Sequence, residues 1–594
     1  MMIKYLIIFL FCTLFCSSVH PQTAERTSSV GIPMESIFVH KNAEILFSGE
    51  RLMYSIYVHD LSIGRASELS KIAYVELLGE NLEPVFFRKI GLENGKGHDD
   101  FKLNTEVETG TYKLLAYTQL MKNLDVGSYF ETDVFIINPY DQLPEKNSVT
   151  PATDSLGLSQ ETHMDDVGNA NNKIFRTGNS SIAIELNGEK FGKREMAKVH
   201  VASKATLRGA VLSLSIRKKE EINGPTTISA MAYHSNRLDR IKNKTIDVNR
   251  IKWLPELRGD HISGRLLQGP DSLPITNGHV VLSIPGRQYK VDIARTDNNG
   301  RFGFWLESEQ PVNRTGHLEV LGDVPNEPFI LMDKEGPFLP ADLTFEQYKI
   351  GRHLEGEILK RSIQNQLENA YERPIGEMSN RPSSNETPYY RFFETQYILD
   401  EYTRFSTTEE TFIEVVEQAW IEKGASETPK FKVRPLQQYP QDIIEDPLVL
   451  LDGYVVLDHG QIIEIPAREI RSISVSRKKI FMGSKKFQGI LHFESKSEML
   501  GGQLPKENST RIEIEGSSFF KGYPEFQYGY LSNKSKDIPD LRRQLYWNPR
   551  IKVDKETYDL DILTSDMTGE FEIRVEGFSS TGKPISGYQS FVVK

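Results

Sequence analysis

The sequence predicts a mostly β protein: tandem β-sandwich domains, with a small α+β unit late in the chain and two helices before it. Three observations carry this. Short β-branched and aromatic runs recur at strand length, and polar or glycine turns separate them. Helical periodicity is confined to 340–425. At 594 residues the chain is also too long for one core, so several domains are expected.

The N-terminus reads as a secretion signal over residues 1–22. Lys4 supplies its positive region, Tyr5 to Phe15 an apolar run too short to span a bilayer, and Ser17, Ser18 and Val19 a small-residue cleavage region before Pro21. Both cysteines, Cys12 and Cys16, lie inside it, each preceded by Phe rather than the small residue of a lipoprotein signal. The expected mature chain therefore has no disulfide, thiolate nucleophile or zinc–thiolate site. Such a chain suits a bacterial envelope, exported to the periplasm or associated with the outer membrane. No later apolar run is long enough for a transmembrane helix. The net charge of −11 argues against a nucleic-acid partner.

Residues 34–139 hold six or seven strand-like runs, enough for a β-sandwich. Residues 140–175 are rich in Asn, Asp, Ser, Thr and Pro and read as a linker. Strands resume over 176–250, where Ile182, Ile184 and Leu186, then Ala210, Leu212, Leu214 and Ile216, alternate with small or polar residues: a second sandwich. A smaller β unit follows over 258–322. Within it, Asp297 to Gly300 resembles a fragment of a calcium loop without its remaining ligands, and reads as a tight hairpin turn.

The connector 340–425 carries two helices. Ile350, Leu354, Ile358, Ile363 and Leu367 predict the apolar face of the first. A capping box at Ser406-Thr-Thr-Glu409 starts the second, whose apolar face is Phe412, Val415, Val416, Ala419 and Trp420 and whose end is Gly424. The Pro/Ser/Asn-rich stretch 374–390 reads as a mobile loop. Residues 430–497 return to strands, with a hairpin at Asp452-Gly453. Residues 509–594 read as a C-terminal sandwich closed by Phe591-Val-Val.

No catalytic, cofactor-binding or metal-binding residue is assigned. His-Glu-x-x-His, Gly-x-Ser-x-Gly, P-loop and Rossmann patterns are absent. Ser-x-x-Lys occurs at Ser215/Lys218, Ser476/Lys479, Ser518/Lys521 and Ser580/Lys583, in strand- or turn-like stretches without partner motifs, and reads as chance. His98, Asp99 and Asp100 offer metal ligands but read as a solvated loop. Arg477-Lys478-Lys479 reads as an exposed strand end rather than an anion site. Carboxylate pairs for glycan hydrolysis are set by spatial separation, which spacing along the chain does not reveal.

Several stretches resemble known modules. Phe47-Ser-Gly-Glu50, Leu69 to Leu77 and Gly110 to Asn123 are similar to a macroglobulin-type (MG) domain of Bacteroidota envelope proteins. Ile262 to Phe304 resembles a carboxypeptidase regulatory-like domain, a sandwich that is not itself catalytic. Asp446 to Gly453, Ile465-Pro466, Ile470 to Val475 and Phe487 to Leu491 resemble the plug domain of TonB-dependent receptors. Asp540 to Pro549 and Thr564 to Gly569 are similar to the C-terminal sandwich of the same proteins.

The resemblance implies architecture first. A transporter barrel of 22 strands needs about 220 residues, and 98 follow Lys496. Covalent protease trapping needs a cysteine thioester, which the mature chain lacks. The expected function is therefore a non-catalytic envelope binding or scaffold protein. Its partner would be an outer-membrane β-barrel or surface lipoprotein, with contacts sought in 446–493 and 540–569. The alternatives are a non-covalent protease-binding protein, using 140–175 or 374–390 as bait, and a glycan-active enzyme.

Overall fold

A computed structural model describes residues 34–123, 129–141, 182–203, 208–241, 251–269, 273–286, 288–306, 314–322, 328–333, 336–340, 343–371, 388–424, 428–437, 444–506, 509–518, 522–523, 538–553 and 557–594. The expected signal segment with Cys12 and Cys16, nearly all of the 140–175 linker and most of the 374–390 loop lie outside them.

The first sandwich runs β1 (Glu35–Lys41), β2 (Ile45–Phe47), β3 (Arg51–Asp60), β4 (Arg65–Ala66), β5 (Ile72–Leu78), β6 (Pro84–Gly91), β7 (Lys96–Lys102), β8 (Gly110–Tyr117) and β9 (Phe130–Ile137). One sheet is β1-β3-β4, with β7 also on β3; the other is β2-β9-β8-β5-β6. Strands β5 and β8 are buried at every position, including Glu76, Thr111 and Lys113. The outer face of their sheet is covered as well: Phe338 packs on the Tyr117 and Tyr129 rings at 5.2 and 5.5 Å.

The second sandwich opens with β10 (Ile182–Leu186), β11 (Lys190–Phe191), β12 (Met196–Ser203) and β13 (Ala210–Lys218). A helix that the sequence reading missed, α1 (Ala230–Ile241), follows. Its start is marked in the sequence, since the Ser229 hydroxyl accepts from the Ala232 N–H at 3.2 Å. The sandwich is incomplete at this point, and the chain leaves it.

The small sandwich contains β14 (Asp260–Gln268), β15 (His279–Ile284), β16 (Lys290–Arg295), β17 (Arg301–Leu306), β18 (Arg314–Leu321) and β19 (Pro328–Met332). Asp297 to Gly300 is a tight turn, its Asp297 carboxylate accepting from the Asn299 and Arg301 N–H groups at 2.8 Å. It is not a hairpin, because β16 and β17 belong to different sheets, β16-β15-β18 and β17-β14-β19.

Next comes α2 (Glu355–Tyr371), then a mixed-sheet unit: β20 (Thr395–Ile398), α3 (Thr408–Val415), β21 (Ala419–Glu422), β22 (Lys430–Val433), β23 (Leu448–Leu451), β24 (Tyr454–Val455), α4 (Gly460–Ile463), β25 (Ile470–Met482) and β26 (Lys485–Ser495). Its sheet order is β20-β25-β26-β23-β24, with β23 parallel to β26. The Asp452-Gly453 turn forms as expected, both residues at positive φ (52° and 84°). Helix α3 starts one residue later than expected: Thr407 is the N-cap and accepts from the Glu410 N–H at 3.1 Å. It stops at Val415 rather than near Gly424. Ala419 and Trp420 lie in β21, where a run of β-branched and aromatic residues finds a partner in β22.

The chain then returns. Strand β27 (Ser509–Ile514) completes the small sandwich by pairing with β18. Strands β28 (Gln544–Val553), β29 (Thr557–Leu563), β30 (Gly569–Phe578) and β31 (Pro584–Val593) complete the second sandwich, in sheets β10-β12-β29 and β11-β31-β30-β13-β28. Strands β10 to β13 of the segment 176–250 and β28 to β31 of the segment 509–594, read as separate sandwiches, are therefore two halves of one. Strand β13 sits between β28 and β30, and one apolar core holds Leu212, Leu214 and Ile216 together with Ile551, Phe571 and Ile573. The fold is nested: the mixed-sheet unit is inserted in the small sandwich, which is inserted in the second sandwich.

Candidate functional site: sealed charge junctions between modules

The first strongly polar site lies where α2 meets the two large sandwiches. The expected apolar face of the first helix packs at Ile350, Leu354 and Ile358 but not at Ile363 and Leu367. Ile350, Leu354 and Ile358 pack beside Phe47, Phe135 and Ile137. Further along, Arg361, Ser362 and Asn365 are buried, whereas Leu359, Ile363 and Leu367 are exposed at 62, 49 and 40%. The reason is an acceptor cluster under the helix. The Arg361 guanidinium forks onto Glu50, Nε to Oε1 at 2.8 Å and Nη2 to Oε2 at 2.9 Å, and reaches Glu220 Oε2 at 2.8 Å. Its plane lies 4.1 Å from the Phe47 ring centroid. Asn365 and Asn369 donate to the Ser48 and Gly49 carbonyls at 2.8 and 3.1 Å.

Glu50 also accepts from Arg217 at 3.0 Å, and Arg543 stands 3.8 Å from Glu220. Burial alone would raise the Glu50 carboxyl; Arg361 and then Arg217 outweigh it and hold it at about 2. The junction thus joins Phe47-Ser-Gly-Glu50 of the first sandwich, β13 and β28 of the second, and α2. Its central charges, Glu50 and Arg361, are matched and little of the pair reaches water, so the junction can act as a strut between modules.

A second junction joins the same sandwiches. Glu44 lies between Lys41 and Arg574, each at 3.4 Å, and accepts from the Thr227 hydroxyl. Burial would raise its carboxyl; Lys41 and Arg574 hold it at about 2. Nearby Glu576 accepts from the Ser586 hydroxyl at 2.6 Å and from the Ala230 N–H at the start of α1 at 2.8 Å. Burial pushes its carboxyl up to about 7, against those two hydrogen bonds. The folded state therefore prefers Glu576 protonated. The stability this group contributes is full at the low end of the carboxylate range and is lost as pH rises toward 7. At about 1.4 kcal/mol per unit, Glu576→Gln is expected to gain about 2 kcal/mol on the wild type between pH 5 and pH 8, read from urea midpoints at both pH values.

A buried pair, Lys89 with Asp260 at 3.0 Å, ties the first sandwich to the small one. The mixed sheet is covered on both faces. Phe412 and Phe431 pack on Phe493 from one side. Val281, Val291 and Ile293 of the small sandwich share a core with Leu448, Leu450 and Ile490 on the other.

His98, Asp99 and Asp100 are not in a solvated loop. They lie buried in β7, where Asp100 pairs with Arg51 and accepts from the Tyr523 hydroxyl at 3.1 Å. The loop reading failed because those partners lie about 50 and 420 residues away in the chain. Ser215 and Lys218 lie in β13, Ser476 and Lys479 in β25, and Ser580 and Lys583 around a turn; Lys521 is outside the described residues. Among the described residues no group of three or more His, Cys, Asp and Glu is placed to hold a metal, and no helix is long and apolar enough to cross a membrane.

No family model and no curated protein matches the chain. Among solved structures it is similar to a Salmonella alpha-2-macroglobulin reacted with methylamine: 9% identity and a TM-score of 0.23, over 95% of this chain and 40% of that one. It is also similar to E. coli alpha-2-macroglobulin in its native conformation, with 10% identity and a TM-score of 0.24 over 94% and 40%. A shorter match, to a Listeria innocua beta-glucosidase with isofagomine, has 15% identity and a TM-score of 0.13 over 18% and 16%. The chain spans about two fifths of the length of the macroglobulins it matches.

Proposed function

We propose that the chain is a non-catalytic binding scaffold of the bacterial envelope, in which MG-type, regulatory-like and plug-like modules form one rigid body that docks on an outer-membrane protein. The observation that carries this is the nested path with its sealed junctions. The charged pairs of these junctions, Glu50 with Arg361 and Arg217 and Glu44 with Lys41 and Arg574, lie between modules, which supports a part in fixing their orientation.

The plug-like unit belongs to that body. Inserting it in another chain's barrel would strip the small sandwich from its sheet and expose the Val281, Ile293, Leu450 and Ile490 core. Docking through a strand edge costs no such rearrangement. Strand β19 is the best edge for it. It ends its sheet, no described strand pairs with its outer side, and Phe329 and Leu331 are 42 and 38% exposed on it.

The test is a gentle detergent extraction of the native envelope with the tagged chain. A stoichiometric β-barrel or surface lipoprotein is expected, with recovery falling about tenfold for Phe329→Lys/Leu331→Lys while the melting temperature holds. Retention of nothing after cross-linking would overturn the reading. A stable complex with a protease instead would favour the non-covalent inhibitor.

A further inference from the structure

The apolar core between the small sandwich and the mixed sheet encloses a polar cluster that the scaffold reading does not use. His492 lies on the same face of β26 as Ile490, so its ring enters that core. There it meets Tyr289, the residue before β16, with ring centroids 4.9 Å apart. The 3-10 turn Tyr389–Arg391 supplies two more members. The Tyr390 ring is 6.2 Å from that of Tyr289, and the Arg391 guanidinium carbon is 5.7 Å from the Tyr289 centroid. Phe393 stacks on His492 at 5.8 Å.

Three polar atoms of this cluster are buried and find no hydrogen-bond partner among the described residues: Tyr289 Oη, His492 Nε2 and Arg391 Nε. Tyr289 and His492 are only 6 and 5% exposed. A buried donor or acceptor left unpaired is costly, and three on touching side chains point to something that pairs with them. Burial holds the Tyr289 hydroxyl protonated. It also pushes the His492 imidazole down, against Glu494 and Asp452, so neither ring is charged near neutral pH. The two acids are engaged elsewhere: Glu494 accepts from the Ser472 hydroxyl and Asp452 from the Ser495 hydroxyl, both at 2.7 Å. Arg391 and Phe393, the half-buried members, mark the side from which a small molecule enters.

We infer that this cluster binds a small aromatic monocarboxylate, its carboxylate on the Arg391 Nε–H and the Tyr289 O–H and its ring among those of Tyr390, Phe393 and His492. His492 Nε2, in its N–H tautomer, is a third donor. Aromatic walls with a few polar atoms and one cation are the makings of a small-molecule site. A dianion fits less well, because Glu494 and Asp452 oppose a second negative charge. A neutral alcohol leaves the guanidinium unmatched.

The test is isothermal titration calorimetry of the full chain with benzoate, benzyl alcohol and inorganic phosphate. Benzoate is expected to bind once per chain, and the other two about tenfold more weakly or less. Tyr289→Phe removes the hydroxyl alone. It is expected to weaken benzoate about tenfold while the melting temperature of the free chain holds or rises, because the deleted group has no partner there. Arg391→Met, at a half-buried position, is expected to abolish measurable binding with the melting temperature held. Absence of benzoate binding, equal binding of benzoate and benzyl alcohol, or unchanged affinity in both variants would overturn the inference and leave the cluster a site for water. A melting temperature lowered by Tyr289→Phe would mean that the hydroxyl is already paired with buried water, and would overturn it as well. Recovery or loss of a protein partner from the envelope does not bear on this result.

Discussion

Arg361→Met is expected to destabilise the chain by about 3 kcal/mol. The substitution keeps most of the side-chain volume but removes the cation from beneath α2. Glu50 keeps Arg217, and Glu220 keeps the more distant Arg543 and the backbone N–H groups of Glu221 and Ile222. Breaking a buried pair from one side costs about 3–5 kcal/mol because the remaining charge stays desolvated. The surviving Arg217 contact places the expected loss at the low end of that range. The double variant Arg361→Met/Glu50→Gln is expected to lose less than the sum of the two single losses, since the forked contact between the two side chains is then lost only once. Chemical unfolding of the two singles and the double measures the coupling. Additive losses would mean that the forked contact carries no energy of its own.

Gly483→Ala is expected to cost about 3 kcal/mol, against about 1 kcal/mol for Gly64→Ala. Both glycines have positive φ, 56° and 64°, so both substitutions carry the same kind of backbone cost. They differ in what a Cβ meets. At Gly64 nothing lies within 4 Å; at Gly483 the Ile293 carbonyl oxygen would be 2.1 Å away. That oxygen belongs to β16, so the extra cost falls on the contact between the mixed-sheet unit and the small sandwich. Hydrogen exchange in Gly483→Ala is expected to quicken in β16 and β23 before it does in β8. Equal losses in the two variants would show that this contact yields without cost.

Local features of this fold were legible in the sequence, and distant ones were not. The Asp452-Gly453 turn is written in two residues, and the structure places both at positive φ. The strand text of β5 and β8 is unambiguous because those strands are buried on both faces. The split sandwich had no local mark. Ala210 pairs with Val553, more than 300 residues on, and periodicity says that a strand exists without saying which strand it joins. Helix α2 misled for a physical reason. Its apolar spacing is real, but burial follows the stronger demand of Arg361 and Asn365 to reach Glu50 and the Ser48 carbonyl. The same holds for His98, Asp99 and Asp100, whose charges look solvated until Arg51 and Tyr523 are brought to them. In the charge junction, Glu50 was visible as part of Phe47-Ser-Gly-Glu50, but its partners come from three distant segments.

Native-state hydrogen exchange tests most directly whether the modules form one body. The slowest amides of β13 and β30, of β14 and β15, and of β23 and β26 are expected to share one opening free energy, because the nested path lets none of these modules unfold without disturbing the one that encloses it. A mixed-sheet unit that opens by itself, at a free energy well below that of the second sandwich, would contradict the rigid scaffold.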